Sequence, residues 1–182
     1  MKQESPPTHL DVKAFAHAAG TLAGHDLLSK YARLMQDTQG LKADDRLDWS
    51  ARGEVRADEA GAEQIWLHLT VDVRLPLTCQ RCLGPVEIVV AVNQSFRFVA
   101  NEEAAEAQDD ASEEDVLALS QDFNLFDLIE DEVLMALPVA PRHETCPVEI
   151  KLAAVDAGFD AATAEKRNPF AVLAKLQSDK SS

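Results

Sequence analysis

Along residues 65–75 apolar and polar side chains alternate without a break. Ile65, Leu67, Leu69, Val71, Val73 and Leu75 share one parity, and Trp66, His68, Thr70, Asp72 and Arg74 share the other. A period of two is the mark of a strand with one face in a core and one in solvent. Residues 47–55 alternate more roughly, and a polar turn at 57–62 separates the two runs. A third run, Val86 to Ala100, puts Val86, Ile88, Val90 and Val92 on one face. Phe96 and Phe98 continue that parity, and Gln94 and Ser95 mark the expected place of a bulge. Three successive strands joined by short connections predict an antiparallel meander.

Elsewhere the period changes to that of helices. Residues 11–20 predict a short helix with Asp11 as its N-cap and Gly20 as its stop. Residues 26–35 predict a second helix, with Leu27, Leu28, Tyr31, Leu34 and Met35 on one face and Gln39 and Gly40 ending it. The strongest helical pattern is 124–137. Asn124 caps it, Leu125, Leu128, Ile129, Glu132, Val133 and Ala136 form its stripe, and Pro138 and Pro141 stop it. So apolar a helix must pack on the sheet, which leaves Glu132 either at the edge of the contact or paired. Asn168, Pro169 and the apolar residues to Leu176 predict a short terminal helix. Residues 1–9 and 178–182 read as loose ends, and 101–115, rich in Glu, Asp and Ala, as a mobile acidic loop. Val116 to Leu119 adds a short strand. The expected class is α+β: a small antiparallel β-sheet with a packed central helix, N-terminal helices and a short C-terminal helix.

Totals narrow the function. A chain of 182 residues with 46% hydrophobic content can hold one ordinary domain with a real core. Its parts are helices in 1–37, strands in 45–100, the acidic loop 101–115, the helix 124–137, and an extended segment with the last helix in 138–182. The polar start, with Pro6 and Pro7, has no apolar core of a signal peptide. No apolar run approaches the ~18 residues of a membrane span. Three widely spaced cysteines make a poor disulfide framework. Together these predict a protein of a reducing cytoplasm with no membrane partner.

The formal net charge of −15 argues against nucleic acid when taken whole, but it is regional. Residues 101–132 hold 13 of the 32 acidic residues, and no Lys or Arg lies between Arg97 and Arg142. That block is either a solubilising loop or a polyanionic surface for a basic partner such as a ribosomal protein. Arg74, Arg81 and Arg97, on or beside the strands, are candidates for touching phosphates.

The chemistry concentrates in two short stretches. Cys79 and Cys82 form C-x-x-C in a turn between two strands, with Gly84 close behind. His143 and Cys146 form H-x-x-C in a proline-bounded segment. A thioredoxin-like reading wants its C-x-x-C at a helix N-terminus, which strands on both sides do not provide. A structural metal wants four ligands, and Cys79, Cys82, His143 and Cys146 would make a Cys₃His zinc site with no open catalytic position. The plainer alternative is three reduced thiols, two of them packed in a turn. No nucleophile elbow, phosphate loop or small-molecule site stands out, so nothing supports an enzyme.

Three stretches taken together resemble the YceD family of large ribosomal RNA subunit accumulation proteins. They are Leu77-Thr78-Cys79-Gln80-Arg81-Cys82-Leu83, then Leu128 through Glu130-Asp131-Glu132 to Leu137-Pro138, and Asn168-Pro169-Phe170-Ala171-Val172-Leu173. The likeness runs from about Trp49 onward. It implies a non-enzymatic cytoplasmic factor in ribosome biogenesis that promotes synthesis, processing or accumulation of large-subunit (23S) ribosomal RNA. Its partner would be the rRNA precursor or a basic ribosomal protein. Some relatives carry more cysteines after the proline-bounded segment, whereas this chain offers His143 and Cys146. The competing reading is a stand-alone zinc-binding interaction or metal-handling module.

Overall fold

The computed structural model describes residues 6–38, 42 and 44–149. Met1–Cys146 form one compact unit, and the chain from Pro147 onward forms another, of which only residues 147–149 are described. The first unit is α+β. Its sheet has five strands in sequence order: β1 (Thr21–Leu27), β2 (Arg46–Ala57), β3 (Glu63–Thr78), β4 (Pro85–Val99) and β5 (Asp115–Ala118). The first four pair antiparallel, as the alternating patterns predict for β2 to β4, and β5 pairs parallel to β4, so the sheet is mixed. Helices α1 (Val12–His17), α2 (Ala32–Asp37), α3 (Glu102–Asp109) and α4 (Leu125–Met135) complete the described elements, with one 3₁₀ turn at Leu28–Lys30.

The odd-numbered residues of β3 from Ile65 to Leu77 are all buried. Opposite them on β4 lie Phe98, Phe96, Val92, Val90, Ile88 and Val86; on β2 lie Ala51, Trp49 and Leu47. Leu125, Leu128, Ile129 and Val133 of α4 belong to the same core. Phe126 meets both Tyr31 and Trp49 edge-on, at centroid distances of 6.1 and 6.0 Å. Backbone of α1 crosses directly over Gly53: a Cβ there would come within 2.8 Å of the Cα of Ala16. Glycine is therefore what lets helix and strand approach so closely.

Several sequence expectations need correction. The predicted helix over 26–35 is a strand in its first two residues, then a 3₁₀ turn and the start of α2. Strand β1 escapes the pattern because its inward positions are Leu22, Gly24 and Asp26. The Trp49 indole fills the space over Gly24, and its Nε1 donates to Asp26 Oδ2 at 2.6 Å. The helical stripe was nonetheless meaningful for Leu28, Tyr31 and Leu34, which are buried, while Met35 is 41% exposed.

The acidic stretch is not a loop. Asn101 accepts from the Ala104 N–H at 2.8 Å and caps α3, whose alanines favour helix and whose Glu102 and Glu103 sit at the positive end of its dipole. Helix α3 supplies the crossover that a parallel strand requires. Arg97 fastens it: its guanidinium donates to Glu114 (2.7 Å), Gln108 (2.9 Å) and Ser112 (2.7 Å). This arginine is buried and engaged, so it is no free phosphate contact. No bulge forms at Gln94 and Ser95; the β3–β4 register runs unbroken, with Gln94 opposite Leu69. The segment before α1 is also held, since Leu10 exchanges backbone bonds with Phe123 (2.9 and 3.0 Å) and Pro7 accepts from Leu125 N–H. The predicted terminal helix at 168–176 lies outside the described residues.

Candidate metal centre

Strands β3 and β4 are long and tightly registered, so the turn between them is held at a fixed point. Cys79 follows the last β3 residue, and its N–H donates to Gly84 O at 2.8 Å across the mouth of the turn. Inside the turn, Leu83 N–H returns to Cys79 O at 2.8 Å, which places Leu83 at φ +58°. This brings the Cys79 and Cys82 side chains to one side. The second half arrives from the segment after α4, stopped by the prolines that follow it. Gln80 N–H donates to Pro141 O at 2.8 Å, and the Arg81 guanidinium donates to both His143 O (2.6 Å) and Glu144 O (3.1 Å).

The two halves meet. Cys79 Sγ lies 3.9 Å from Cys146 Sγ, and Cys82 Sγ lies 3.5 Å from His143 Nδ1. All four ligand atoms fall within 4.8 Å of one another. For a tetrahedral zinc with bonds of ~2.3 Å to sulfur and ~2.0 Å to nitrogen, ligand atoms stand about 3.8 Å apart for sulfur pairs and about 3.5 Å for sulfur and nitrogen. The Cys79–Cys146 and Cys82–His143 separations fit that shell. They do not fit a disulfide, whose sulfurs lie ~2.05 Å apart, and all three cysteines are free thiols.

The electrostatics suit a thiolate. Burial pushes the Cys79 thiol up. Backbone N–H groups of Cys82, His143 and Arg81 outweigh it and bring Cys79 down to about 5. Cys146 moves the other way, up, through burial and the neighbouring Cys82 and Cys79. A cation at the centre of the four atoms would favour thiolates at every cysteine. Cys79 is fully buried and the other three are half-buried, so the group can hold a metal with little solvent access.

The structure brings together the four residues the sequence singled out, and Arg81, which the sequence offered as a phosphate contact, sits beside them with another task. Placed between the two cysteines, Arg81 is spent on carbonyls of the opposite half of the site, where it orients the ligand-bearing backbone. The other proposed arginine, Arg74, is exposed and pairs with Glu87 at 3.0 Å. His68 lies away from the cluster, bonded to Ser95 Oγ (2.7 Å) and Glu54 Oε2 (2.8 Å) and stacked on Trp66.

Comparison with known proteins agrees with the three sequence stretches. The family model described as "Large ribosomal RNA subunit accumulation protein YceD" matches residues 67–177, a span that begins in β3 and includes both halves of the cluster. A Haemophilus influenzae protein of the same description is 31% identical over 108 residues, covering 59% of this chain and 62% of that relative. The match thus spans less than two thirds of the relative's length. No solved structure matches the chain. With the family model covering more than half of its residues, the chain belongs to the YceD family.

Proposed function

We propose that this protein is a non-enzymatic factor in ribosome biogenesis that promotes synthesis, processing or accumulation of large-subunit (23S) ribosomal RNA. The observation that carries the reading is the family match over residues 67–177, and the relative's description points the same way. Its partner is the rRNA precursor or a basic ribosomal protein, and its place of action is the cytoplasm. Among the described residues no helix is long and apolar enough to cross a membrane. The whole of 1–182 is read as one YceD-like domain, because the family match runs on from the sheet into the C-terminal stretch.

Within that role, Cys79, Cys82, His143 and Cys146 bind one structural zinc ion. Four protein ligands leave no position for substrate, so the metal's task is to tie the β3–β4 turn to the segment after α4. Sedimentation tests the function: the protein should travel with precursor large-subunit particles on a sucrose gradient, and confinement to the top of the gradient would count against it. The compact cluster also favours a second reading, a stand-alone zinc-binding interaction or metal-handling module. That reading predicts stoichiometric zinc together with ribosomal RNA levels indifferent to the protein.

A further inference from the structure

Away from the metal centre, α4 and β5 enclose a second feature of different chemistry. Two adjoining hollows, of about 420 and 400 Å³, share Asp115, Glu132 and Met135 in their walls. The first adds Asp131, Leu117 and Leu134. Glu132 is 5% exposed, lines both hollows, and has no hydrogen-bond or ion-pair partner among the described residues. Met135, at the rim, is 70% exposed.

The Glu132 carboxylate has only solvent at the mouth of the groove to satisfy it, since among the described residues no fully buried side-chain oxygen is left without a partner, and a guest cation can replace that solvent. Its surroundings make matters worse: burial and the nearby Asp115 and Asp131 push the Glu132 carboxyl up. Among the described residues no Lys or Arg pairs with Glu132, and the sequence has none between Arg97 and Arg142. Arg97 is occupied by Glu114, and the one arginine on Asp131, Arg33, is shared with Glu130.

We propose that the groove between α4 and β5 receives an arginine side chain from a basic segment of another protein, with Glu132 and Asp115 as its counter-charges and Met135 and Leu117 as its apolar walls. Three alternatives fit less well. An RNA phosphate would be repelled by these carboxylates. A bare divalent ion needs converging ligand atoms, and among the described residues the only such group is the Cys79 cluster. Lysine would bring a strongly hydrated point charge, whereas a guanidinium is weakly hydrated, reaches two carboxylates with its planar fork and tolerates apolar contact on its faces.

The inference rests on the ribosome-assembly reading only for the source of such a segment. Peptide binding tests the groove, and ribosomal RNA levels test that reading, so either can fail alone. The probe is a seven-residue peptide, Gly-Arg-Arg-Gly-Arg-Arg-Gly, against its citrulline counterpart, titrated into full-length protein carrying ¹³C-methyl methionine. The chain has only three methionines, Met1, Met35 and Met135. The expected result is a saturable shift of the Met135 methyl with the arginine peptide alone, Met35 staying still. Glu132→Gln with Asp115→Asn should weaken binding at least about tenfold. Glu102→Gln, Glu103→Gln and Glu106→Gln together, which remove more charge from α3, should weaken it less than about threefold. Met135→Arg, at an exposed position that does not threaten folding, should block binding as well. A still Met135 methyl, equal weakening by the α3 variant, equal binding of citrulline peptide, or an RNA hairpin moving Met135 in place of the peptide would each overturn the proposal.

Discussion

Cys79 and Cys146 stand 67 positions apart in sequence, yet their sulfurs lie 3.9 Å from each other. That separation is too long for a disulfide and right for two thiolates on one tetrahedral ion. Protein purified without chelator should therefore carry about one zinc per chain. Cys82→Ser and His143→Ala should each lose it, and a chelator should lower the melting temperature of the wild type but not of those variants. Zinc absent from the wild type, or kept by Cys82→Ser, would contradict the site.

Leu83 occupies a left-handed backbone conformation at φ +58° while its side chain is 75% exposed. A non-glycine residue there costs about 1–2 kcal/mol, and the extra chain entropy of glycine offsets roughly 0.5–1 kcal/mol of any relief. Leu83→Gly should raise stability by about 0.5–1 kcal/mol in denaturant unfolding. A loss instead would mean that the leucine side chain makes a contact worth more than its strain.

The Glu130-Asp131-Glu132 run, conspicuous in sequence, divides into three jobs. Tyr31 gives α2 no side-chain cap, and Glu130 supplies one from α4: its Oε1 accepts from the N–H groups of Arg33 (2.6 Å) and Leu34 (3.0 Å), and its Oε2 from Arg33 Nε (2.9 Å). Its side chain is nearly buried, so Glu130→Ala strands those donors and should cost about 3 kcal/mol. Asp131 pairs with the same arginine in the open, and Asp131→Ala should cost less than about 1 kcal/mol. Equal losses would contradict the capping role.

Asp26 and Glu132 should bend the pH dependence of stability in opposite directions. Burial raises the Asp26 carboxyl, but bonds from Lys30, Trp49 and Tyr31 outweigh it and hold it below its ordinary 3.8. Its stabilisation is thus present above that value and lost as pH falls through the lower folded value. The Glu132 carboxyl is raised above its ordinary 4.5, so its contribution is present below 4.5 and lost as pH rises through the higher folded value. In urea titrations from acid to neutral pH, Asp26→Asn should remove part of the acid-side loss. Glu132→Gln should leave a protein relatively more stable at neutral pH than at pH 4. The opposite order would mean that Glu132 has a partner in the free protein.

What the sequence disclosed depended on how much of each signal was local. The β3 alternation and the Asn124-capped α4 stripe carry their own periods and appear where expected. The gathering of Cys79, Cys82, His143 and Cys146 was legible because few residue types make metal ligands, so three cysteines and a histidine at short spacings left few combinations. Strand β1 was hidden because a glycine and a buried aspartate, each explained only by Trp49 on the next strand, stood where apolar residues would have shown the period. Helix α3 was lost by reading acidity as disorder, although Asn101 and the alanines supplied a cap and propensity. Arg81 offered no sign of its role because its partners are backbone carbonyls 62 and 63 positions away.

The most direct test of a role in ribosomal RNA accumulation is the ratio of large- to small-subunit ribosomal RNA in native host cells lacking the gene. The account predicts that the ratio falls and that a plasmid carrying the wild-type chain restores it. A ratio that does not move when the gene is removed would contradict the account, whatever metal the protein holds.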